Sequence, residues 1–309
     1  MKSIRSALIL VLTALIWGIA FVAQTTGGEA IGPYSFNCIR SFMGAIVLIP
    51  VIKFMDYKGL SGKKKDDLEN KKTLIIGGIC CGICLGSASL FQQVGLFLGV
   101  PAGKAGFLTT CYIVMVPILG LFLHKKCGWN IWLAVAITLL GLYLLCMNGS
   151  IKIQKEDALI LVCSVLFSMQ ILCIDHFAPL VDPVRLSQLQ FLVAAIISLI
   201  PTVFVDIPRY GFYGWGNAFL SWEAWIPLLY AGIMSSGVAY TLQIVGQIGL
   251  NPTIASIIMS LESVFSVLAG WALLGQHLSR RELLGCLLIF VAVILAQVPT
   301  DNLLKKNKN

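Results

Sequence analysis

Charge is what this sequence lacks most. Asp, Glu, Lys and Arg make up 12% of the 309 residues, about half the share in a soluble domain. Apolar residues make up 58%, and mean hydropathy is +0.90. No single aqueous core hides that much apolar surface, so lipid must be the solvent for most of it. Histidine is scarce too: His124, His176 and His277 all sit near the ends of apolar runs. Without paired acids, a His/Glu metal motif or a Ser/Lys dyad, an intramembrane enzyme is disfavoured and no cofactor is expected.

Other absences narrow the class further. The stretch Gly99–Val100–Pro101–Ala102–Gly103–Lys104–Ala105 falls one residue short of a phosphate loop and ends in Ala, so no ATP-binding module is present. The net charge is +8, but no basic face with interleaved aromatics exists, which argues against nucleic acid. Ten cysteines form no disulfide framework; eight lie inside apolar runs. Cys80, Cys81 and Cys84 are flanked by Gly78, Gly82 and Gly86, a small-residue ladder suited to close helix packing.

What is present is a succession of apolar runs long enough to span a bilayer. They cover approximately 5–24, 33–54, 73–98, 102–123, 129–147, 157–176, 184–205, 223–247, 252–275 and 281–298. The first resembles a signal peptide, with Lys2 and Arg5 ahead of it, but it is longer than a typical one and another apolar segment follows at Pro33. Asp56–Lys72 is the one long polar insertion and reads as a solvated loop. With the N-terminus inside, the cytoplasmic side collects 15 of the 22 Lys and Arg residues and the outer side 6, with Arg40 within a span. The positive-inside rule therefore places both termini in the cytoplasm. Asn148–Gly149–Ser150 fits a glycosylation acceptor or a turn equally well.

The chain also repeats itself. Gly86, Ala88, Gln92, Gly95 and Pro101 recur at an offset of 151 as Gly237, Ala239, Gln243, Gly246 and Pro252, and an offset of 150 aligns Pro33 with Pro183. The expected fold is all-α, with ten transmembrane helices in two five-helix repeats, residues 1–150 and 151–309. Five is odd, so the second repeat must enter the membrane from the opposite side. Inverted duplications of this kind are a signature of secondary transporters, whose halves rock about a site between them.

Charged and polar side chains inside the spans mark where that site would be, since each costs roughly 2.5–3.5 kcal/mol at a helix centre on insertion scales. Arg40 lies seven residues past Pro33, and Glu262 ten residues past Pro252. Asn37, Arg40 and Gly44 share a face. Ser236, Tyr240, Gln243 and Gln247 make a stripe on the eighth span; Trp17 lies with Thr13 and Gln24, Gln92 with Ser89 and Gln93, and Tyr112 beside Thr109. Candidate substrate-binding residues are thus Trp17, Asn37, Arg40, Gln92, Tyr112, Tyr240, Gln243 and Glu262. For Arg40 and Glu262 the competing reading is a buried structural ion pair or a snorkelling side chain near the interface, and for the others it is interhelical hydrogen bonding; a direct Arg40–Glu262 pair is left open. Asp175 and His176 read as a solvated helix end.

The order of these motifs resembles the drug/metabolite transporter superfamily, in its ten-helix EamA-type branch. The resemblance runs from about Arg5 to Gln297. It rests on Ala14–Leu15–Ile16–Trp17–Gly18, on Gly32–Pro33 followed by Arg40, on Ala102–Gly103–Lys104–Ala105–Gly106–Phe107, on Ser260–Leu261–Glu262 and on Leu284–Gly285. It departs at Ser263, where the family often has Pro, and at Gln276, where it often has Glu. The resemblance implies two halves around a central cavity and, as is common among relatives, export of amino acids or related metabolites across the plasma membrane. Expected partners are a small-molecule substrate and the lipid bilayer, with a coupling proton and a homodimer as open alternatives. A nucleotide-sugar carrier and a non-transporting polytopic membrane protein remain the rival readings.

Overall fold

The computed structural model describes residues 2–59, 68–100, 102–125, 128–147, 154–274 and 279–298, and every regular element among them is helical. Lipid offers the backbone no hydrogen-bonding partner, and a helix satisfies its own peptide groups within one segment. The first half comprises α1 (Lys2–Ile31), α2 (Pro33–Tyr57), α3 (Leu68–Phe97), the broken pair α4 (Ala102–Thr110) and α5 (Tyr112–Phe122), and α6 (Trp129–Cys146). The second half opens with α7 (Asp157–Phe177) and α8 (Pro183–Pro201). A π-helical turn, Thr202–Asp206, leads from α8 into α9 (Ile207–Tyr210), and α10 (Phe212–Ala218) links to the next crossing. That crossing runs through α11 (Trp222–Leu229), a π-helical stretch Tyr230–Ala239 and α12 (Tyr240–Gln247). The broken pair α13 (Pro252–Met259) and α14 (Leu261–Leu274) follows, then α15 (Arg280–Ala296).

Among the described residues, nine helical segments are long and apolar enough to cross a membrane. The expected tenth is α15, whose 17 residues span about 25 Å against a hydrocarbon core of about 30 Å. Lys63–Lys65, Pro101, Asn148–Ser150, Gln276 and His277 lie outside the described residues. The outward faces are apolar, as on α3, where Ile76, Ile79 and Ile83 are exposed at i, i+3 and i+7. Polar side chains turn inward. Many hydroxyls bond back to their own helix, as Thr138 does to the Ala134 carbonyl and Ser168 to that of Ser164.

The two halves run in opposite directions. The C-terminal part of α1 lies beside the C-terminal part of α3, where Gln93 Nε2 donates to the Gln24 carbonyl at 2.8 Å. On that same side α7 begins, since Gly95 of α3 packs on Ile160, while Gly77 packs on Phe177 at the other end. So α1 ends where α7 starts. The packing obeys the matching symmetry. Helix α3 lies on α7 and α8, and its counterpart, the α11–α12 crossing, lies on α1 and α2. Helices α2 and α8 pair with each other, as do α6 and α15, each antiparallel to its own counterpart.

Small residues bring these backbones close. A Cβ on Gly86 would fall 2.9 Å from the Ala194 Cα, and one on Gly285 would fall 2.6 Å from the Gly141 carbonyl oxygen. Ion pairs tie the helix ends together: Arg185 with Asp56 at 2.7 Å, Lys125 with Asp175 at 2.6 Å, and Lys104 with Asp157. Asp175 is therefore paired, where the sequence suggested a solvated helix end.

Candidate functional site

A central cavity lies where the inverted halves meet. Seven of the eight residues singled out from the sequence line it: Trp17, Arg40, Gln92, Tyr112, Tyr240, Gln243 and Glu262. They come from both repeats, so the cavity exists only where the two halves meet.

Asn37 stands one layer behind. Its Oδ1 accepts from Arg40 Nε at 2.9 Å, and its Nδ2 donates to Ser198 Oγ at 2.9 Å. It therefore orients Arg40 against α8. The Arg40 guanidinium also lies 5.9 Å from the centre of the Phe36 ring. Arg40 is 4% exposed, and among the described residues no carboxylate comes within ion-pairing distance of it. The direct pair with Glu262 left open by the sequence does not form.

Among the described residues, Glu262 is held by hydroxyls alone. Tyr112 Oη donates to its Oε1 at 3.3 Å and Thr110 Oγ1 to the same oxygen at 3.5 Å. Both donors flank Cys111, where the fourth crossing breaks between α4 and α5. The ninth crossing breaks at Ser260, two residues before Glu262. These breaks fall at nearly equivalent positions of the two repeats, and discontinuous helices at the repeat interface are how many transporters expose polar groups at mid-membrane depth.

Elsewhere the wall is amide and aromatic. Gln92 Nε2 donates to Thr109 Oγ1 at 3.0 Å, and Gln170 and Gln243 bond to each other at 3.2 Å. The rings of Trp17 and Tyr240 lie 4.6 Å apart, and Phe191 meets Tyr240 edge-on at 5.2 Å. The polar stripe expected on the eighth span is only partly realised. Ser235 lines the cavity instead of Ser236, which packs on Gly44. The reason is the π-helical stretch Tyr230–Ala239, whose wider turn breaks the 3.6-residue period on which the expectation rested.

Sequence reasoning missed Phe21, Phe167 and Gln170, which also line the cavity. The internal repeat carried a signal for Phe167. At the 150-residue offset it is the counterpart of Trp17, and Ile171, another lining residue, is the counterpart of Phe21. Among the described residues no group of three or more His, Cys, Asp or Glu side chains is placed to hold a metal ion.

Two mirrored helical halves around a buried polar cavity, with apolar faces turned to lipid, define a membrane transporter. The chain belongs to the EamA-like transporter family, whose model matches residues 4–147 and again 154–297. It is 28% identical over 298 residues to an "Uncharacterized transporter" of Archaeoglobus fulgidus, covering 96% of this chain and 87% of that one. It is 23% identical over 287 residues to the "Uncharacterized transporter YoaV" of Bacillus subtilis, covering 91% and 92%. A crystal structure with 18% identity superposes with a TM-score of 0.74 over 95% of this chain and 98% of the other, which is a likeness of fold.

Proposed function

We propose that this protein is a secondary carrier of the plasma membrane that exports an amino acid or related small metabolite by alternating access. Residues 1–150 and 151–309 are the halves that rock, and both termini face the cytoplasm. The observation that carries the reading is the cavity itself. It lies where the inverted halves meet, each half supplies part of its wall, and it holds one cation and one anion, Arg40 and Glu262, nearly out of water. Unpaired buried charges are costly unless a ligand or a moving proton engages them.

The test is flux through purified protein in liposomes, screening amino acids and related metabolites with and without a pH gradient. Saturable movement that follows the gradient is expected in the wild type, and Glu262→Gln should abolish the gradient response. Identical pH profiles for the two proteins would remove Glu262 from the coupling. No saturable flux of any small metabolite by folded protein would overturn the carrier reading.

Orientation has its own test. Tyr213, in α10, is 87% exposed, and Lys58 follows the end of α2 and is exposed too. In intact cells a membrane-impermeant maleimide should label Tyr213→Cys, and it should reach Lys58→Cys only after permeabilisation. The reverse pattern would place the termini outside.

A further inference from the structure

We propose that Gln247 biases the side on which the molecule opens: its amide is shut away from water in this structure and is rehydrated when the side holding the start of α1 parts. That side is cytoplasmic in the orientation proposed above. That the opening serves transport rests on the carrier reading; the opening itself does not.

Helix α12 runs from the cavity toward the start of α1, since Gly246 packs on Ile9 and Leu10. Tyr240 and Gln243 line the cavity, and Gln247 continues the same helical face about 6 Å further on. Three layers close that route. The first is amide. Gln170 Nε2 donates to Gln190 Oε1 and to Gln243 Oε1, both at 3.4 Å, and Gln243 Nε2 donates back to Gln170 Oε1 at 3.2 Å. The second is apolar: Ile174, Leu186 and Ile244 pack together with Cys81, all wholly buried. Gln247 is the third, and it is 1% exposed.

Gln247 differs from the layers between it and the cavity. Among the described residues neither its Oε1 nor its Nε2 has a hydrogen-bond partner, and Gln190 Nε2 has none either. A glutamine amide can accept at its oxygen and donate twice from its nitrogen. Buried with none of those bonds made, it destabilises the closed arrangement; in water all of them are made. Opening at this end therefore relieves a cost that closing imposes. The bonds of the amide layer oppose it only weakly, because water replaces them as they part.

The internal repeat shows that the fold does not require an amide at this position. The counterpart of Gln247 at the 151-residue offset is Leu96. Leu96 is buried and packs in an apolar cluster with Val100, Ala105, Leu108 and Ile160. Inverted duplication sets Leu96 toward the opposite mouth of the molecule. One mouth is thus sealed by a matched apolar group and the other by an unmatched polar one, so the two closures differ in stability. The closure at Gln247 is the weaker.

The experiment measures hydrogen exchange and thermal unfolding of the purified wild type, Gln247→Leu and Gln247→Met. Leucine is the residue that the counterpart position carries, and methionine is unbranched and adapts to an irregular gap. Each variant should raise the unfolding midpoint. Each should also slow exchange in segments 183–190 and 240–250 by at least roughly tenfold, with segment 92–100 unchanged. An amide that only supports the fold would give the reverse, since removing it would lower the midpoint and speed exchange. That reverse result, or unaltered exchange, would overturn the proposal, and loss of folded protein in both variants counts as the reverse result. The exchange readout needs no substrate, which separates the two readings. The expected shifts in a protein without flux would uphold the role of Gln247 and count against the carrier. Wild-type flux with unaltered exchange would keep the carrier and overturn that role.

Discussion

Replacing Gly18 with Val should abolish transport and strongly lower the thermal unfolding midpoint of the protein in detergent. A Cβ at position 18 would lie 2.7 Å from Phe265 Cβ, 2.8 Å from the Glu262 carbonyl oxygen and 2.8 Å from the Ser266 nitrogen. Two of those three atoms are backbone, so no rotamer change in a neighbour relieves the overlap. The α14 backbone itself must retreat, and Glu262 moves with it. Overpacking of this kind costs about 1–3 kcal/mol even for small additions, and Val adds more than a methyl group. Helix association in lipid depends on close packing more than on hydrophobic burial, which makes the loss harder to recover. Gly106→Ala is the control. Its added Cβ would find nothing nearer than Ser263 Oγ at 4.0 Å, so stability and flux should stay near wild type. A Gly18→Val protein that unfolds at the wild-type temperature and transports normally would show that α1 and α14 are not in register as described.

The same position explains why Trp17 and Gly18 occur together. Trp17 projects into the cavity, and the next residue must be small for α14 to approach. Sequence reasoning could see that Arg40 and Glu262 needed a reason to be in lipid, because charge is expensive there. It could see the inverted duplication too, because Gly, Gln and Pro at a fixed offset stand out against an apolar background. It could not see which polar residues face the cavity and which stand behind it. Asn37 shares a helical face with Arg40, yet only three-dimensional packing shows that it reaches Ser198. Nor could the period of 3.6 survive the π-helical stretch Tyr230–Ala239, which moves Ser235 to the cavity and turns Ser236 onto Gly44. The breaks at Cys111 and Ser260 were equally hidden, since neither residue is a glycine or a proline.

Asp206 was invisible in the sequence for a different reason: it falls at the end of an apolar run, where a carboxylate reads as solvated. In the structure it is fully buried and caps α2. Its Oδ2 accepts from the Ser35 backbone N–H at 2.7 Å and from Ser35 Oγ at 2.8 Å, and Trp215 Nε1 donates to that same Oγ at 2.9 Å. A carboxylate at a helix N-terminus meets both unpaired N–H groups and the positive end of the dipole. Hydrogen bonds to a charged group contribute about 1.5–3 kcal/mol each. Asp206→Ala should therefore lower the unfolding midpoint strongly and reduce flux, because Ser35 is only five residues before Arg40 on α2 and the two helices lose their clamp at that end. Asp206→Asn, which keeps one acceptor and loses the charge, should fall between.

Gly32 supplies the decisive cross-check on Asp206. Its φ is +90°, and an added Cβ would lie 2.6–2.9 Å from the Asp206 carboxylate. Gly32→Ala in the wild type therefore combines backbone strain with a clash. In the Asp206→Ala background the clash is gone and only the strain remains, about 1–3 kcal/mol. The second substitution should accordingly cost less in the absence of Asp206 than in its presence, measured as a double-mutant cycle of unfolding midpoints. Strict additivity would mean that Gly32 and the carboxylate do not touch, and that the cap of α2 is built from other groups.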